Sequence, residues 1–403
     1  MNTSGLDIKQ IDTIANEIVS TAKGEDPTAQ RYADFVTCAT VALRMDTNQL
    51  LNSISQVMNK TIFSYRPYSA IFKGLYKDSM KYGNHTRKLT PLDSDFEKDE
   101  RLYKADGSVL TDGDAVDMYK ISKPRVLQTN FYGFDTWQKH ITVFKDQIDT
   151  AFQNEESLGS FLSMVMGNAN DQLEQAREEL ARGALVDLIV GTYTSGESTQ
   201  QVHLLTEYNK VTGQKFTTTT VMLPENYKAF MQWAFSRIAT LIDSMRARTC
   251  LYHTNPTVEG VKKTIMRHTD KSRMHGYFIS EFLNNASNMV ESNTFNTEYL
   301  SKLDGEKVLF WQSPLQPYVI KAGTTANAMN AETGVIASKA LEADVSSVVG
   351  ILFDDDAMGI NLYNQWSSAT PFNSAGGYHN IYWHEGARYW VDNTENAIVL
   401  CLD

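Results

Sequence analysis

The sequence predicts an α+β protein, and three features support this prediction. A very long helix is predicted over residues 154–190, because apolar residues recur at helical spacing from Leu158 to Leu188. A strand-like passage, residues 126–143, precedes it and is rich in β-branched and aromatic residues. Short strands end the chain, the last over residues 397–402. Strands, one dominant helix and more strands in this order favour a mixed fold with a sizeable core.

The predicted long helix begins at Asn154, a good N-cap, and carries negative charge in its first turn, where the helix dipole favours it. Three glycines, Gly159, Gly167 and Gly183, each cost about 1 kcal/mol relative to alanine. A kink near Gly167 is therefore an open alternative to a straight helix. The side opposite the apolar stripe is predicted to be polar and holds Glu174, Arg177, Glu178 and Arg182.

The chain divides into five predicted segments. Residues 1–64 carry three short helical patterns and form an N-terminal helical arm. Residues 65–125 form an extended loop, and residues 126–193 hold the strand and the long helix. A lobe of helices and strands follows over residues 194–344, and residues 345–403 return as strands. Glycine-containing turns are predicted after the long helix at residues 191–196.

The extended loop is dense in charge and poor in large apolar residues. Asp106-Gly107 and Asp112-Gly113 mark two tight turns, and five tyrosines argue against pure disorder. A two-stranded ribbon is marginal by itself, so we expect this one to lie on a partner subunit. A flexible surface insertion is the alternative.

The bulk composition excludes several functions. A net charge of −11 argues against a dedicated nucleic-acid binder, although it suits a container that surrounds DNA. The 3 cysteines show neither zinc spacing nor a disulfide framework, which indicates a reducing compartment. The sequence shows no signal peptide, and its apolar runs are too short to cross a membrane. We expect a protein made in the cytoplasm, without membrane partners.

Two clusters invite a metal interpretation. Asp354, Asp355 and Asp356 could bind a hard cation, but consecutive residues of an extended chain point in alternate directions, so a solvated turn is predicted. His379 and His384 lie five residues apart, which misses the spacing of a zinc helix, and they are predicted to decorate an aromatic-packed sheet. With phosphate-binding and nucleophile motifs also absent, we predict no catalytic residues, no metal, no cofactor and no enzyme activity.

Charge is distributed unevenly between the extended loop and the long helix. The loop carries Lys73, Lys77 and Lys81 four residues apart, a spacing that would form a basic stripe on a helix, and Arg87 and Lys88 follow beyond them. The helix is acidic, notably at Glu174, Glu178 and Glu179. One interpretation is an intersubunit contact between the two sets, and the other is two unrelated solvated faces.

Three passages resemble the major capsid proteins of tailed phages, which have the Hong Kong 97 (Johnson) fold. Residues 126–139 with 157–165 resemble the strand that leads into the spine helix of that family. Residues 275–280 with 307–311 resemble its axial domain, and residues 350–360 with 378–402 its closing strands. The similarity is greatest to small short-tailed phages of the phi-twenty-nine group.

The resemblance implies a fold with an N-terminal arm, an extended β-hairpin loop, a peripheral domain built on the spine helix, and an axial domain. It implies self-assembly into hexamers and pentamers of an icosahedral virion shell that encloses double-stranded DNA without sequence-specific binding. The expected partners are a portal and a scaffolding protein. The scaffolding protein is expected to be a separate chain, because nothing before Leu6 resembles a long prodomain. Assembly is expected in the host bacterial cytoplasm.

Three alternatives stay open at this point. An encapsulin nanocompartment would share the fold. A metal-dependent hydrolase would need the Asp354–Asp356 run to converge with His379 and His384. A tail-tube or other virion protein should lack the long helix.

Overall fold

The structure is a computed structural model that describes the chain in thirteen stretches. They are residues 72–77, 86–92, 98–104, 106–116, 119, 125–131, 134–147, 155–195, 198–258, 261–262, 264–284, 306–321 and 345–403. The chain forms two compact units. Unit 1 comprises residues 1–83, 134–183 and 360–388, and unit 2 comprises residues 84–133, 184–359 and 389–403.

The long helix predicted from the sequence is present as one element. Helix α1 spans Glu155–Ser195, 41 residues, which corresponds to about 60 Å at 1.5 Å per residue. It continues through residues 191–195, so the turn predicted at residue 191 is wrong. The helix is not interrupted there because Gly191 and Thr192 lie in a buried stretch, where packing outweighs the low helix propensity of these residues. The predicted cap, Asn154, lies outside the described residues.

Burial along α1 is uneven. Residues 184–190 are all buried in unit 2, whereas Leu173 and Leu180, from the same predicted apolar stripe, are only half-buried in unit 1. The predicted polar side is also only partly correct, because Glu178 is buried. A buried carboxylate requires a charged partner, and Arg182 one turn further along the helix provides it.

Unit 1 contains a three-stranded sheet in the order β10-β11-β3, in which β3 and β11 pair antiparallel. Its strands are β3 (Phe134–Phe144), β10 (Met358–Ala369) and β11 (Tyr378–Val391). The β3–β11 pairing runs from Phe134 opposite Arg388 to Phe144 opposite Tyr378. The aromatic-packed sheet predicted for the two histidines is confirmed: the His384 ring stacks on Trp366 at 3.9 Å between centroids, and His379 lies 5.1 Å from Phe372.

Unit 2 is built on a five-stranded sheet in the order β4-β12-β9-β7-β8. The strands are β4 (Gln201–His203), β7 (Met274–Ile279), β8 (Glu306–Val308), β9 (Val348–Asp354) and β12 (Ala397–Cys401). Every residue of β9 and β12 is buried, as central strands with two covered faces require. Two short strands, β5 (Thr257–Val258) and β6 (Val261–Lys262), pair separately.

Helices cover the sheet of unit 2. They are α2 (Leu204–Thr212), α3 (Thr218–Val221) and α4 (Pro224–Met245), the last beginning at the proline predicted to start it. Phe230 and Ile238 of α4 belong to one buried apolar cluster with Phe278, Leu352 and Ile398 of the sheet. This cluster is the core of unit 2.

The extended loop contains the predicted ribbon. Strand β1 (Thr86–Leu92) pairs antiparallel with β2 (Arg125–Phe131), and we call this pair the β1–β2 ribbon. The strand predicted over residues 126–143 is therefore divided: its first part returns the loop and its second part is β3 in the other unit. Gly107 and Gly113 adopt φ angles of 85° and 94°, which confirms both predicted turns.

The predicted segment of return strands, residues 345–403, is divided between the two units. Strands β9 and β12, predicted among the return strands after residue 345, pair with β7 and β4 in unit 2. Residues 360–388 alone of that segment belong to unit 1.

Three predicted elements lie outside the described residues: the N-terminal arm over residues 1–64, most of the Asn-rich helix after residue 284, and the loop at residues 322–341. Across the described stretches, none of the helices combines the length and apolar character that a membrane span needs.

Gly350 is predicted to be essential for the packing of the five-stranded sheet. A Cβ at this position would lie 2.4 Å from Cδ1 of Phe278 and 3.0 Å from the backbone oxygen of Tyr277, both on the paired strand β7. We expect Gly350→Ala to lower the free energy of unfolding by about 1–3 kcal/mol, measured by denaturant unfolding of the unassembled chain. Gly183→Ala is the control, because its Cβ meets nothing within 4 Å; it should stabilise helix α1 by about 1 kcal/mol. Equal stability of the Gly350 variant and the parent chain would contradict this packing.

Candidate assembly interface

The segment that enters the extended loop is fixed onto unit 1. A 3-10 helix, Lys73–Leu75, is followed by Tyr76, which forms a parallel bridge to Ile360 of strand β10. The backbone N–H of Lys77 donates to the Ile360 carbonyl at 2.9 Å, and the Tyr76 hydroxyl donates to the backbone oxygen of Arg177 at 2.6 Å. Phe72 and Leu75 are buried. The base of the loop is therefore attached to helix α1 and to a strand.

Arg177 links helix α1 to strand β11 within unit 1. The Arg177 guanidinium donates to both carboxylate oxygens of Glu385, each at 2.6 Å. It also donates to one carboxylate oxygen of Glu174 at 2.6 Å. Burial would lower the pKa of Arg177, but the two carboxylates outweigh it and raise the pKa. A bidentate arginine pair of this kind has a defined geometry, so it sets the orientation of the helix on the sheet.

A second charge cluster lies where the β1–β2 ribbon meets the body of unit 2. Lys88 of β1 binds the carboxylate of Asp392 at 2.6 Å and also that of Glu395, while Arg267 binds Glu395 at 2.7 Å. We call these four residues the Lys88 cluster. Lys88 also donates to the backbone oxygen of Asp356 at 3.3 Å. The cluster connects the ribbon to the turn that precedes strand β12.

The pKa shifts in the Lys88 cluster follow from burial opposed by charge. Burial would lower the pKa of Lys88, but Asp392 and Glu395 outweigh it and raise the pKa. Burial would raise the pKa of Asp392, but Lys88 and a hydrogen bond from Thr394 outweigh it and hold the pKa low. For Glu395 burial is the stronger effect, and its pKa is raised despite Lys88 and Arg267. The cationic partners therefore favour the charged forms of Asp392 and Glu395 against the effect of burial.

The turn that supplies these carboxylates is polar and buried along its whole length, residues 392–396. Thr394 donates from its backbone and its hydroxyl to Asp392 at 2.9 and 2.7 Å. The Asn396 amide donates to the Thr269 hydroxyl at 3.0 Å, and its oxygen lies 3.2 Å from Nδ1 of the buried His253. These bonds order the turn that carries the acceptors of Lys88.

The two faces of the ribbon have different surroundings. Successive side chains of a strand point to opposite faces, so Lys88 and Thr90 lie on one face of the ribbon and Arg87 and Leu89 on the other. Their register partners on β2 lie on the same faces. The first face meets unit 2: Thr90 is buried, as is Phe131 at the end of β2. We call the second face the outer face. Its exposed residues are Arg87, Leu89, Pro91, Val126 and Gln128, and its remaining residue, Asn130, is half-buried.

The basic residues predicted to make intersubunit contacts are divided by the structure. Lys88 contacts its own chain, and Arg87 is exposed on the outer face. Lys73 and Lys77 lie in the segment fixed on unit 1, and Lys81 lies outside the described residues. Arg87 and Lys88 are neighbours on strand β1 and lie on opposite faces of the ribbon, so these two basic residues do not share one surface.

The acidic residues on helix α1 are divided in the same way. Glu174 binds Arg177, and Glu178 binds Arg182 at 2.5 Å. Glu179 is exposed and accepts a hydrogen bond from Gln175 at 3.1 Å. Of the acidic set, Glu179 is the residue that the structure leaves most accessible to another subunit.

The two groups of residues considered for a metal belong to different units of the chain. Asp354, Asp355 and Asp356 form the end of β9 and the turn after it, as predicted, but the turn is not simply solvated. Asp354 is buried, Arg273 binds Asp354 and Asp356 at 3.3 and 2.5 Å, and His275 lies 2.8 Å from Asp355. His379 and His384 belong to the sheet of unit 1.

Sequence reasoning missed the acceptors of Lys88. Asp392 and Glu395 are separated from Lys88 by about three hundred residues, and a polar run between two apolar strands is typical of a solvated turn. No local spacing could have identified them, because the contact is made only by the tertiary fold.

The arrangement of these elements occurs in known capsid structures. A chain of the capsid structure of Staphylococcus phage Andhra superposes with a TM-score of 0.54 at 11% identity, covering 86% of this chain and 87% of that one. A chain in the structure of the head fiber and inner core protein gp22 of native bacteriophage P68 gives 0.52 at 12% identity, covering 85% and 87%. No curated protein sequence matches significantly.

The fold is therefore that of the Hong Kong 97-type capsid proteins, α+β with a long helix and an extended loop, as the sequence predicted. The sequence also matches the Phi29-like phage major capsid protein family over residues 12–401. The chain belongs to that family. It is a major capsid protein that self-assembles into the shell of a bacteriophage virion, and the family match favours this role over the encapsulin, hydrolase and tail-tube alternatives.

Loss of the Lys88 amine should destabilise the unassembled chain. Lys88→Met keeps the aliphatic stem but leaves Asp392 buried without its cation, and breaking a buried pair in this way costs about 3–5 kcal/mol. Denaturant unfolding of the unassembled protein measures this change. Arg87→Met, one residue away on the exposed face, is the matched control and should change the free energy of unfolding by no more than about 0.5 kcal/mol. Similar effects of the two substitutions would show that Lys88 does not anchor the ribbon.

Proposed function

We propose that the shell consists of hexamers and pentamers of this chain with icosahedral symmetry, and that the β1–β2 ribbon of each subunit lies on a neighbouring subunit. The observation that carries this proposal is the difference between the faces of the ribbon. One face is anchored to its own unit by Lys88, while the outer face remains open in the isolated chain. A subunit of a self-assembling shell has copies of itself available to cover such a face.

The outer face has apolar side chains suited to burial. Leu89 is 60% exposed and Val126 is 58% exposed, and Pro91, the register partner of Val126, lies beside it. The tip of the loop presents more apolar side chains, namely Leu102, Val109, Val116 and Tyr119. Exposed apolar groups that occur together mark interaction surfaces, and their burial stabilises by about 25 cal/mol per Å².

The tip is ordered by its own polar contacts, which favours an ordered loop over a flexible insertion. Lys104 binds Asp114 at 2.8 Å, and Tyr103 forms a bridge to Val109. Arg101 binds Asp99 at 2.5 Å, and these hydrogen bonds lower the pKa of Asp99 to about 2. A pre-ordered tip loses less conformational entropy when it docks.

The contact that we propose also has an ionic part. The basic series Lys73, Lys77, Lys81, Arg87 and Lys88 was expected to face Glu174, Glu178 and Glu179 of a neighbour. Because Lys88, Glu174 and Glu178 have partners in their own chain, we propose Arg87 and Glu179 as the main pair, with Lys73, Lys77 and Lys81 contributing to the field. An exposed pair contributes about 0–1 kcal/mol, so its effect depends on repetition around a ring.

The remaining partners are also proposals. We propose a separate scaffolding protein, a portal at one vertex, enclosure of double-stranded DNA without sequence-specific contacts, assembly in the host bacterial cytoplasm, and no catalytic role. The net charge of −11 supports enclosure over binding, because an acidic shell repels the phosphates that it surrounds. Negative-stain microscopy of the chain expressed with and without a scaffold is the direct test of the scaffold requirement.

Charge placed on the outer face should block assembly without unfolding the subunit. We expect Leu89→Asp with Val126→Asp to reduce the yield of sedimentable shells at least tenfold, because two charges would be buried in every subunit contact. The free energy of unfolding of the unassembled chain should change by no more than about 0.5 kcal/mol. Val211→Asp, at an equally exposed valine on helix α2, is the matched control. Normal shells from the double variant would contradict the proposed contact.

The ionic part is tested in the same assay by exchanging charges. Arg87→Glu should lower shell yield most at low salt, and Glu179→Arg in the same chain should restore part of it. Absence of rescue at every ionic strength would remove this pair from the contact and would leave the apolar part unaffected.

A further inference from the structure

A group of potential metal ligands lies at the edge of the five-stranded sheet. Strands β4 and β12 are parallel, and His203 is the register partner of Cys401. Aligned residues of neighbouring strands point to the same face of a sheet, so the imidazole and the thiol lie side by side. Asp403, two residues after Cys401, follows on the same side. Three donor types, nitrogen, sulfur and oxygen, are thus placed together by the strand pairing itself.

The distances support one shared site. His203 Nδ1 lies 3.1 Å from Oδ1 of Asp403, and the ligand atoms of His203, Cys401 and Asp403 all lie within 4.8 Å of one another. Across the part of the chain that the structure describes, this is the one set of three or more such side chains at that density. Strand β12 also shifts its register against β9 between Leu400 and Cys401, an irregularity of the kind that re-aims a side chain.

We propose that His203, Cys401 and Asp403 bind a divalent transition-metal ion of the zinc type, which fastens strand β4 to strand β12. A thiolate and an imidazole are ligands that zinc prefers over magnesium or calcium, and a carboxylate is a frequent third ligand. Zinc–ligand bonds of about 2.0–2.3 Å need the donors to approach more closely than they do here, and the exposed Asp403 has the freedom to move. The fourth position would be open to water.

Metal binding would remove the proton of the Cys401 thiol. Burial, and then the charge of Asp403, raise the pKa of the Cys401 thiol to about 12, so the free thiol is protonated at neutral pH. The metal would replace this proton, forming a metal–sulfur bond and releasing one proton to solvent. If His203 binds through Nδ1, its contact with Asp403 is replaced by shared coordination.

The position of the site suggests a structural role. β4 is an edge strand that pairs with β12 over only three residues, Gln201 to His203, and it follows helix α1 after a short 3-10 helix. A metal bound by both strands would hold this short pairing at its far end. Cys401 is 1% exposed, so the ion would be covered on one side by the core and open on the other through Asp403.

Cobalt binding to the full-length chain tests the proposal. Co²⁺ replaces Zn²⁺ in such sites and gives a thiolate-to-cobalt charge-transfer band that reports a cysteine ligand. We expect one Co²⁺ per chain with this band, displacement by Zn²⁺, and a higher thermal midpoint in the presence of Zn²⁺, because a ligand that binds only the folded state stabilises it. Absence of the band in the purified, reduced protein would overturn the proposal.

Two ligand variants and one control variant test the thiol and carboxylate ligands. Cys401→Ser should abolish the band, and Asp403→Asn, at an exposed position that does not threaten folding, should weaken Zn²⁺ binding at least about tenfold, since even outer-shell changes cost about 10–100-fold. Cys250→Ser is the matched control, because Cys250 is a free cysteine outside the group, and it should retain the band. A band that survives Cys401→Ser, or that disappears with Cys250→Ser, would assign the metal elsewhere and overturn the site. Unchanged affinity in Asp403→Asn would also contradict it.

Discussion

The ion pair between Lys88 and the buried carboxylates of Asp392 and Glu395 is the contact on which the placement of the ribbon depends. A two-stranded ribbon cannot build a core of its own, so it must be attached to something larger. The attachment here is charged, buried and directional, and its acceptors are held by a polar turn with its own hydrogen bonds. A buried pair of this kind contributes modest net stability, because its attraction offsets the desolvation of the charges, but it strongly penalises any arrangement in which one partner is missing. It therefore specifies where the ribbon lies.

This anchoring has a consequence for assembly. Because one face of the ribbon is attached to unit 2, the outer face is presented in a fixed orientation before any neighbour arrives. In the contact that we propose, apolar side chains such as Leu89 and Val126 would supply the affinity, and the exposed charges would supply orientation and salt dependence. Weak contacts that are repeated around a closed ring together stabilise a shell.

The elements that the sequence predicted well are those with a long or strongly apolar pattern. Helix α1 and the buried strand β12 were identified because their periodicity extends over many residues. The turns at Gly107 and Gly113 were predictable because the chain needs glycine at positive φ. The end of α1 was placed too early, since tertiary burial of Gly191 and Thr192 outweighs their poor helix propensity. The functional contacts were the least predictable part. The Lys88–Asp392 contact and the His203–Cys401 pair have no local sequence pattern, because each joins residues that only the fold brings together.

A side-chain-resolution electron-microscopy reconstruction of the assembled shell tests the central claim most directly. The account predicts that Leu89 and Val126 are covered by a neighbouring subunit, while Lys88 remains bound to Asp392 and Glu395 of its own chain. An outer face that stays open to solvent in the shell, or a Lys88 that leaves its own carboxylates for those of a neighbour, would contradict it.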